Sequence, residues 1–240
     1  MIRLFIDQPL APGTCLKLDE KQSHYLLHVM RLGPGDALLL FNGRDGEWRA
    51  VMQPAKKGAA GVEVAEQTKK QDVPPDLWLL FAPIKRGHGD LIAEKASELG
   101  ASRLLPITTR RTVVGRVPVA RYRSIATEAA EQCERLSVPE VEETQPLAKL
   151  LEKWDPKRVL LFCAEAGEAK PIVEVLQDLK PGPLAVLTGP EGGFVEDEFK
   201  LLRAKSYIRP VRLGPRVLRA DTAAIAALTL VQALKGDWAA

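Results

Sequence analysis

The chain has 240 residues, of which 46% are hydrophobic and 27% charged, with a formal net charge of +3. This is the make-up of a soluble globular protein with length for one large domain or two smaller ones, and its mildly basic balance is compatible with nucleic acid without proving it. Three cysteines without paired spacing, Cys15, Cys133 and Cys163, exclude a disulfide framework and a zinc site, and no long apolar segment suggests a signal peptide or membrane span, so a cytoplasmic protein is expected.

Residues 1–65 read as β-rich. Residues 2–6 alternate as a strand does. Residues 37–41 and 47–52 flank Asn42-Gly43-Arg44-Asp45-Gly46, and Asn-Gly between two apolar runs predicts a hairpin. Residues 61–65 alternate again, and short strands with turn signals favour a small barrel. Residues 21–30 are expected to form one helix ending before Gly33-Pro34-Gly35. His24 and His28 lie four apart on one face of it. No acid or cysteine set accompanies them, so they read as packed or RNA-facing histidines and not as a metal pair. Arg31, beside the turn, is a candidate RNA contact, or else a solvated surface arginine.

Residues 66–76 are polar and end in Val73-Pro74-Pro75-Asp76, which marks a linker. The expected division is therefore one domain over residues 1–72 and a second over residues 73–240. Residues 77–84 are a dense apolar run suited to a central strand of a parallel sheet. A basic glycine turn follows, Lys85-Arg86-Gly87-His88-Gly89-Asp90. Asp90 is expected to cap a helix over residues 91–99, which Gly100 stops. Residues 103–107 predict the next strand. No acid occurs from residue 99 to residue 127, a span holding Arg103, Arg110, Arg111, Arg116, Arg121 and Arg123. Such a run is the footprint of a phosphate-backbone contact, which arginine makes bidentately. The alternative is a solvated loop neutralised by acids from elsewhere in the fold. Residues 122–136 predict a helix with Ile125, Ala129, Cys133 and Leu136 on its apolar face and Glu128, Gln132 and Arg135 on its polar one. A loop and short helix (141–155), a strand (158–163), a loop (164–167) and a helix (171–179) come next. This alternation indicates a parallel sheet covered on both faces.

Two stretches carry the chemistry. Residues 184–188 are a short buried-strand run that ends in Gly189-Pro190-Glu191-Gly192-Gly193. A helix opens from Val195, with Glu196, Asp197 and Glu198 in its positive first turn. Three glycines and a proline let the backbone bend sharply and approach a ligand closely, at the carboxyl end of a sheet. The loop lacks the Gly-Lys-Ser/Thr ending of a P-loop, and its glycine spacing is wrong for a dinucleotide fingerprint. Three acids would repel a pyrophosphate, so a cationic or neutral ligand head fits better. The second stretch repeats the pattern: a strand over residues 208–213, a turn at Gly214-Pro215, then Arg216-Val217-Leu218-Arg219. An alanine- and leucine-rich helix follows, with Asp221 as its expected N-cap.

These two stretches, Thr188-Gly-Pro-Glu-Gly-Gly193 and Leu213-Gly-Pro-Arg-Val-Leu-Arg219, resemble the paired signatures of the RsmE-type 16S ribosomal RNA uracil-N3 methyltransferases, of the SPOUT class. Lys85-Arg86, Lys95-Ala-Ser-Glu-Leu-Gly100, Glu128-Ala-Ala-Glu-Gln-Cys133 and residues 24–36 resemble family segments in the same order. Where the family pattern reads Arg-Thr-Glu-Thr or Arg-Ala-Glu-Thr, this chain has Arg219-Ala220-Asp221-Thr222, a shorter acid. The resemblance implies an α+β two-domain protein: an N-terminal PUA-like β-barrel that binds RNA, and a C-terminal α/β domain with a parallel sheet and a trefoil knot. Nothing in the periodicity would suggest the knot.

The resemblance also implies S-adenosylmethionine as methyl donor and a uridine of 16S ribosomal RNA, in the small ribosomal subunit, as acceptor at N3. Three loops would hold the donor: Phe162, Cys163 and Ala164; Thr188, Gly189, Pro190, Glu191, Gly192 and Gly193; and Leu213, Gly214, Pro215, Val217 and Leu218. Arg216 or Arg219 would stabilise charge developing on the uracil, and Glu191 or Asp221 would accept the N3 proton. His24, Arg31, Lys85, Arg86, Arg110, Arg111, Glu128, Gln132 and Arg135 are the expected RNA contacts. A homodimer through the second domain is expected, with no metal and no membrane. The competing account is a non-catalytic RNA-binding protein whose second domain is a dimer scaffold.

Overall fold

The computed structural model describes residues 1–56, 59–85, 87–165 and 167–239. They form two compact units, Met1–Val73 with Ala130–Ser137, and Pro74–Ala129 with Val138–Ala240. The first unit is thus discontinuous. A contiguous cut after residue 72 assigns residues 130–137 to the other domain, and side-chain chemistry explains the difference, as described below.

In the first unit, β1 (Arg3–Phe5), β2 (Cys15–Lys17), β3 (Ala37–Phe41), β4 (Glu47–Lys56) and β5 (Ala59–Lys69) form one sheet in the order β1-β3-β4-β5-β2. Strand alternation sends Leu38 and Leu40, Ala50 and Met52, and Val62 and Val64 into its core. Three register shifts between β4 and β5 bend the longest ladder, as a sheet wrapping its own core requires. The β3–β4 hairpin is present. Asn42 Oδ1 accepts the backbone N–H groups of Arg44 and Asp45 at 2.9 and 2.8 Å, and Gly46, at φ 82°, has no room for a Cβ against the Lys69 carbonyl.

The helix expected over residues 21–30 is divided. α1 (Glu20–His24) is capped by Asp19, whose carboxylate takes the Gln22 N–H at 2.8 Å, and it continues as a single π turn, Tyr25–Val29. The wider turn keeps Leu26 fully buried and leaves Tyr25, Val29 and Met30 exposed. Arg31, at φ 56°, ends it.

Arg3 and Glu47 form a buried ion pair in this unit. The Arg3 Nε donates to Glu47 Oε2 at 2.7 Å, one terminal nitrogen to the carbonyls of Ala130 and Glu131, the other to that of Arg135. Its guanidinium lies 4.5 Å from the Phe41 ring centroid. A guanidinium carries five donors, and beyond the one met by Glu47 three more are met by the carbonyls of residues 130, 131 and 135. These bonds, with that from the Phe5 N–H to Glu131 Oε1 at 2.9 Å, tie the segment to the first unit.

The second unit holds a parallel sheet. Its strands are β6 (Leu77–Phe81), β7 (Arg103–Thr108), β8 (Glu140–Val141), β9 (Gln145–Pro146), β10 (Val159–Cys163), β11 (Lys170–Pro171), β12 (Leu184–Thr188) and β13 (Ile208–Arg212). The order is β11-β13-β10-β12-β6-β7-β8, with β9 also on β7. β12 therefore enters between β6 and β10, which precede it in the chain; this return to the middle is consistent with the knot expected from the resemblance. Five of its five residues are buried, as a strand covered on both faces must be. Helices α2 (His88–Glu98), α3 (Val119–Gln132), α4 (Leu147–Glu152), α5 (Ile172–Asp178), α6 (Glu196–Arg203) and α7 (Ala220–Lys235) complete it.

Several helix ends differ from expectation. α2 begins at His88, not residue 91, behind Gly87 at φ 90°. Asp90 lies within the first turn of α2, not at the N-cap, and both its oxygens accept from Arg121, at 2.9 and 2.7 Å. α3 starts at Val119 and stops at Gln132, before the left-handed Glu134 (φ 63°). α7 starts at Ala220 with Arg219 in the N-cap position. Asp221 is inside the first turn, where it accepts the Thr222 N–H at 2.7 Å. Among the described residues no helix is long and apolar enough to cross a membrane.

Removing one partner of a buried ion pair strands the other charge. Glu47→Gln should lower unfolding stability by about 3–5 kcal/mol, read as a shifted urea midpoint. A shift corresponding to less than about 1 kcal/mol, the worth of a solvated pair, would show that water reaches Arg3.

Candidate functional site

The ladders fix where the second unit's loops go. β10 pairs in parallel with β12 on one side, Phe162 opposite Leu187, and with β13 on the other, Cys163 opposite Val211. Three strands therefore end level, and the loops that follow all leave from the carboxyl edge, where open α/β sheets bind ligands. Together they enclose a cavity of about 510 Å³, a size suited to a small molecule. Cys163, Ala164 and Glu165 form one wall, Thr188 to Glu191 with Gly193 the second, and Leu213 to Arg219 the third; Val211, Ala220 and Ala223 join them. The bends at 189–193 and 214–219 thus meet at one cavity.

Two residues expected on its walls lie off them. Phe162 points to the other face of the sheet, as period-two alternation from Cys163 demands, and packs edge-on against Phe194 at 4.9 Å. Gly192 turns its carbonyl outward to Arg111, which donates to it at 2.8 Å. Conversely, Glu165, Gly167, Ala169, Val211, Arg212, Ala220 and Ala223 line the cavity without having been singled out. Their signal was only their adjacency to the bends.

The glycine bend is held from below. The Gly193 N–H closes a turn on the Pro190 carbonyl at 2.9 Å. Glu165 Oε1 accepts the Phe194 N–H at 2.9 Å. Glu198 takes the Val195 N–H on one oxygen and the Arg110 N–H on the other, at 3.0 and 2.8 Å. A Cβ at Gly189 would drive into the Phe194 ring, so that position needs glycine for space. Gly214 needs it for its φ of 123°.

One atom in the wall is conspicuous. Thr188 Oγ1 is buried and, among the described residues, has no hydrogen-bond partner; an unmet buried hydroxyl is costly and is what a ligand's polar atom would satisfy. Burial pushes the Cys163 thiol up to about 12, so it contributes a neutral surface. Glu191, Arg212, Arg216 and Arg219 are exposed at the rim. The two arginines expected to carry charge roles, Arg216 and Arg219, are therefore both at the cavity.

Asp221 is different. Its side chain is 9% exposed, and Oδ2 lies 2.6 Å from His88 Nδ1. Burial works to raise its carboxyl, but hydrogen bonds from His88 and the Thr222 N–H outweigh that and hold it below its ordinary value of 3.8. His88, on the glycine turn before α2, was read from sequence only as part of a basic turn. A pairing 133 residues apart leaves no local pattern.

The expected RNA contacts divide between the two units. Lys85, Arg110, Arg111 and Glu128 are exposed in the second unit. His24, Arg31 and Gln132 are exposed in the first, where Arg135 is half-buried and donates to Ser137 Oγ at 3.1 Å. The His24 and His28 rings stand 5.1 Å apart. Arg86 lies outside the described residues. The arginine run divides. Arg103 pairs with Glu140 and Glu142 and covers Trp78, and Arg121 pairs with Asp90, so acids from elsewhere neutralise those two.

Comparison with known proteins bears on this site. An RNA methyltransferase domain model matches residues 71–232, and an RNA methyltransferase PUA domain model matches residues 18–64. The chain is 33% identical to the ribosomal RNA small subunit methyltransferase E of Rickettsia conorii, over 97% of this chain and 95% of that one. It is 34% identical to the protein of that name from Synechocystis, over 90% and 72%. Among solved structures it resembles ribosomal RNA small subunit methyltransferase E from Neisseria gonorrhoeae bound to S-adenosyl methionine, with a TM-score of 0.88, 27% identity and 99% of each chain covered. A putative methyltransferase from Legionella pneumophila in complex with the cofactor SAM gives 0.85 at 29% identity, with 98% of each covered.

Two outcomes test the local account. Gly189→Ala should cost about 1–3 kcal/mol of stability through overpacking against Phe194, measured by chemical denaturation. Asp221, with its depressed carboxyl, contributes stability at neutral pH that is lost as pH falls through and below 3.8. The stability gap between wild type and Asp221→Asn should therefore close on acidification; a gap that widens would contradict the assignment.

Proposed function

The chain belongs to the ribosomal RNA small subunit methyltransferase E family, and on that footing we propose that it methylates N3 of a uridine in 16S ribosomal RNA with S-adenosylmethionine as donor. The observation that carries this reading is the single cavity shared by the two glycine bends. Its residues suit the donor. Val211, Leu213, Leu218 and Ala223 offer apolar surface for an adenine ring, and the orphan Thr188 hydroxyl offers a hydrogen bond. Glu165 and Glu191 place negative charge beside a ligand whose reactive centre is cationic. When bound there, S-adenosylmethionine supplies an activated methyl group for in-line displacement, a reaction whose rate comes chiefly from positioning.

The chain's own residues do the rest. Uracil N3 is engaged in pairing within a duplex, so the target base must be unpaired or drawn from its stack. As N3 loses its proton, negative charge spreads to the uracil carbonyl oxygens. Arg216 and Arg219, exposed at the rim with no ion-pair partner among the described residues, are placed to meet it. Asp221 is a poor proton acceptor, since both its oxygens are already engaged and its carboxyl is depressed. Arg110, Arg116 and Arg123, exposed on the second unit, would take phosphates, and His24 and Arg31 on the first unit would add to the RNA surface. A ribosomal RNA substrate implies a cytoplasmic protein.

A homodimer through the second unit is part of this reading. Ile225 and Ala226 stay half-exposed on the otherwise apolar α7, while Val173 on α5 and Trp238 after α7 are exposed. Sedimentation velocity should give twice the chain's 26.3 kDa.

Purified protein, labelled donor and small ribosomal subunits should yield N3-methyluridine. Arg219→Ala should lower kcat by about 100- to 1,000-fold with an unchanged thermal midpoint, because its side chain is exposed. No saturable binding of S-adenosylmethionine by calorimetry would sink the proposal and favour a non-catalytic RNA-binding protein.

A further inference from the structure

The N3 proton needs an acceptor, and we infer that His88 is that acceptor, with Asp221 as the positioning residue that fixes its ring. The inference rests on the methylation reading above. His88 opens α2 and Asp221 stands in the first turn of α7, and the two side chains meet at 2.6 Å. Asp221 follows Arg219 and Ala220 directly, and both of those line the cavity. Asp221 therefore adjoins, along the chain, the rim where Arg216 and Arg219 are exposed, and His88 is joined to it through that contact.

The two members are unequal. The Asp221 side chain is 9% exposed, with Oδ1 held by the Thr222 N–H and Oδ2 by His88; the His88 side chain is 48% exposed. A carboxylate that binds Nδ1–H fixes one tautomer, so the lone pair of a neutral imidazole is left on Nε2. Nε2 has no partner among the described residues, and His88 is the exposed member of the pair while Asp221 is buried. The N3–H of uracil is a weak acid. An imidazole matches it better than an exposed carboxylate such as Glu191, since general-base efficiency falls when the base is much weaker than the acid it serves. In the step, the N3–H bond breaks, an Nε2–H bond forms, and the electron pair stays on N3 for the incoming methyl carbon. The proton then leaves to water from the exposed edge of the ring.

Among the described residues, these charged and titratable groups lie on the elements next to His88. Asp221 and Arg219 come from α7 and its approach, and Lys85 precedes α2. Asp90, two residues on, is engaged by Arg121. The Tyr122 hydroxyl closes against Gly89, and burial holds it neutral up to about 12.

The test combines a readout on the protein alone with kinetics. Imidazole nitrogen NMR of the unliganded protein should show His88 protonated on Nδ1, and Asp221→Asn should abolish that fixed tautomer. With small subunits, H88Q should lose at least about 100-fold in kcat while binding S-adenosylmethionine as wild type does by calorimetry. Its rate should climb with pH where wild type levels off, and added imidazole should restore turnover to H88A. Wild-type methylation with H88Q matching it across the pH range overturns the His88 assignment and leaves the methylation reading intact. A wild-type protein that leaves uridine N3 unmodified overturns both. A His88 found protonated on Nε2 overturns the assignment on its own.

Discussion

The pairing of β10 with a parallel strand on either side is the constraint on which the second unit's site depends. A parallel neighbour must point its carboxyl end the same way. With β12 on one flank and β13 on the other, three independent loops have no choice but to emerge together. The two neighbours follow β10 in the chain, yet they sit on opposite sides of it. A cavity walled by residues from 163 to 223 thus follows from hydrogen-bond register and needs no separate device to gather its parts.

Beneath that cavity the structure is stiff, and above it the structure is open. Phe162, Phe194 and Phe199 interlock under the glycine bend with ring separations of 4.9 to 6.0 Å. Glu165 and Glu198 hold the backbone on both sides of Phe194. Packed aromatic rings and charged acceptors on backbone N–H groups are among the stronger local restraints available. The rim carries arginines without partners among the described residues. Side chains that are to meet a polyanion are worth more uncommitted, because an existing ion pair would first have to break. Arg103 and Arg121, which are committed, show the contrast within the same run of sequence.

Much of this was legible in the sequence because it is local. Asn42-Gly43 announced its hairpin, the apolar run at residues 184–188 its buried strand, and Gly189 to Gly193 its bend; the resemblance supplied the meeting of the two bends and the class of ligand. What escaped was non-local. Asp221 looks like a helix cap because caps are read from neighbours, and its actual partner, His88, is 133 positions away. Phe162 looks like part of the cavity because it adjoins Cys163, and only the facing of the strand separates them. Residues 130–137 read as the tail of an amphipathic helix, since helical periodicity holds through α3 and says nothing about which body each turn packs against. The π turn at Tyr25–Val29 takes the place of the second half of the helix expected over residues 21–30.

The Arg3 cluster has a consequence for how the molecule is made. The guanidinium finds its last acceptors on residues 130, 131 and 135, so the N-terminal sheet cannot be finished when its own strands leave the ribosome. At about 5–20 residues per second of synthesis, it waits several seconds with these guanidinium donors left to water. During that interval β6, α2 and β7 are already emerging. Vectorial folding here is interleaved: the body begun first is closed by a segment born in the middle of the second.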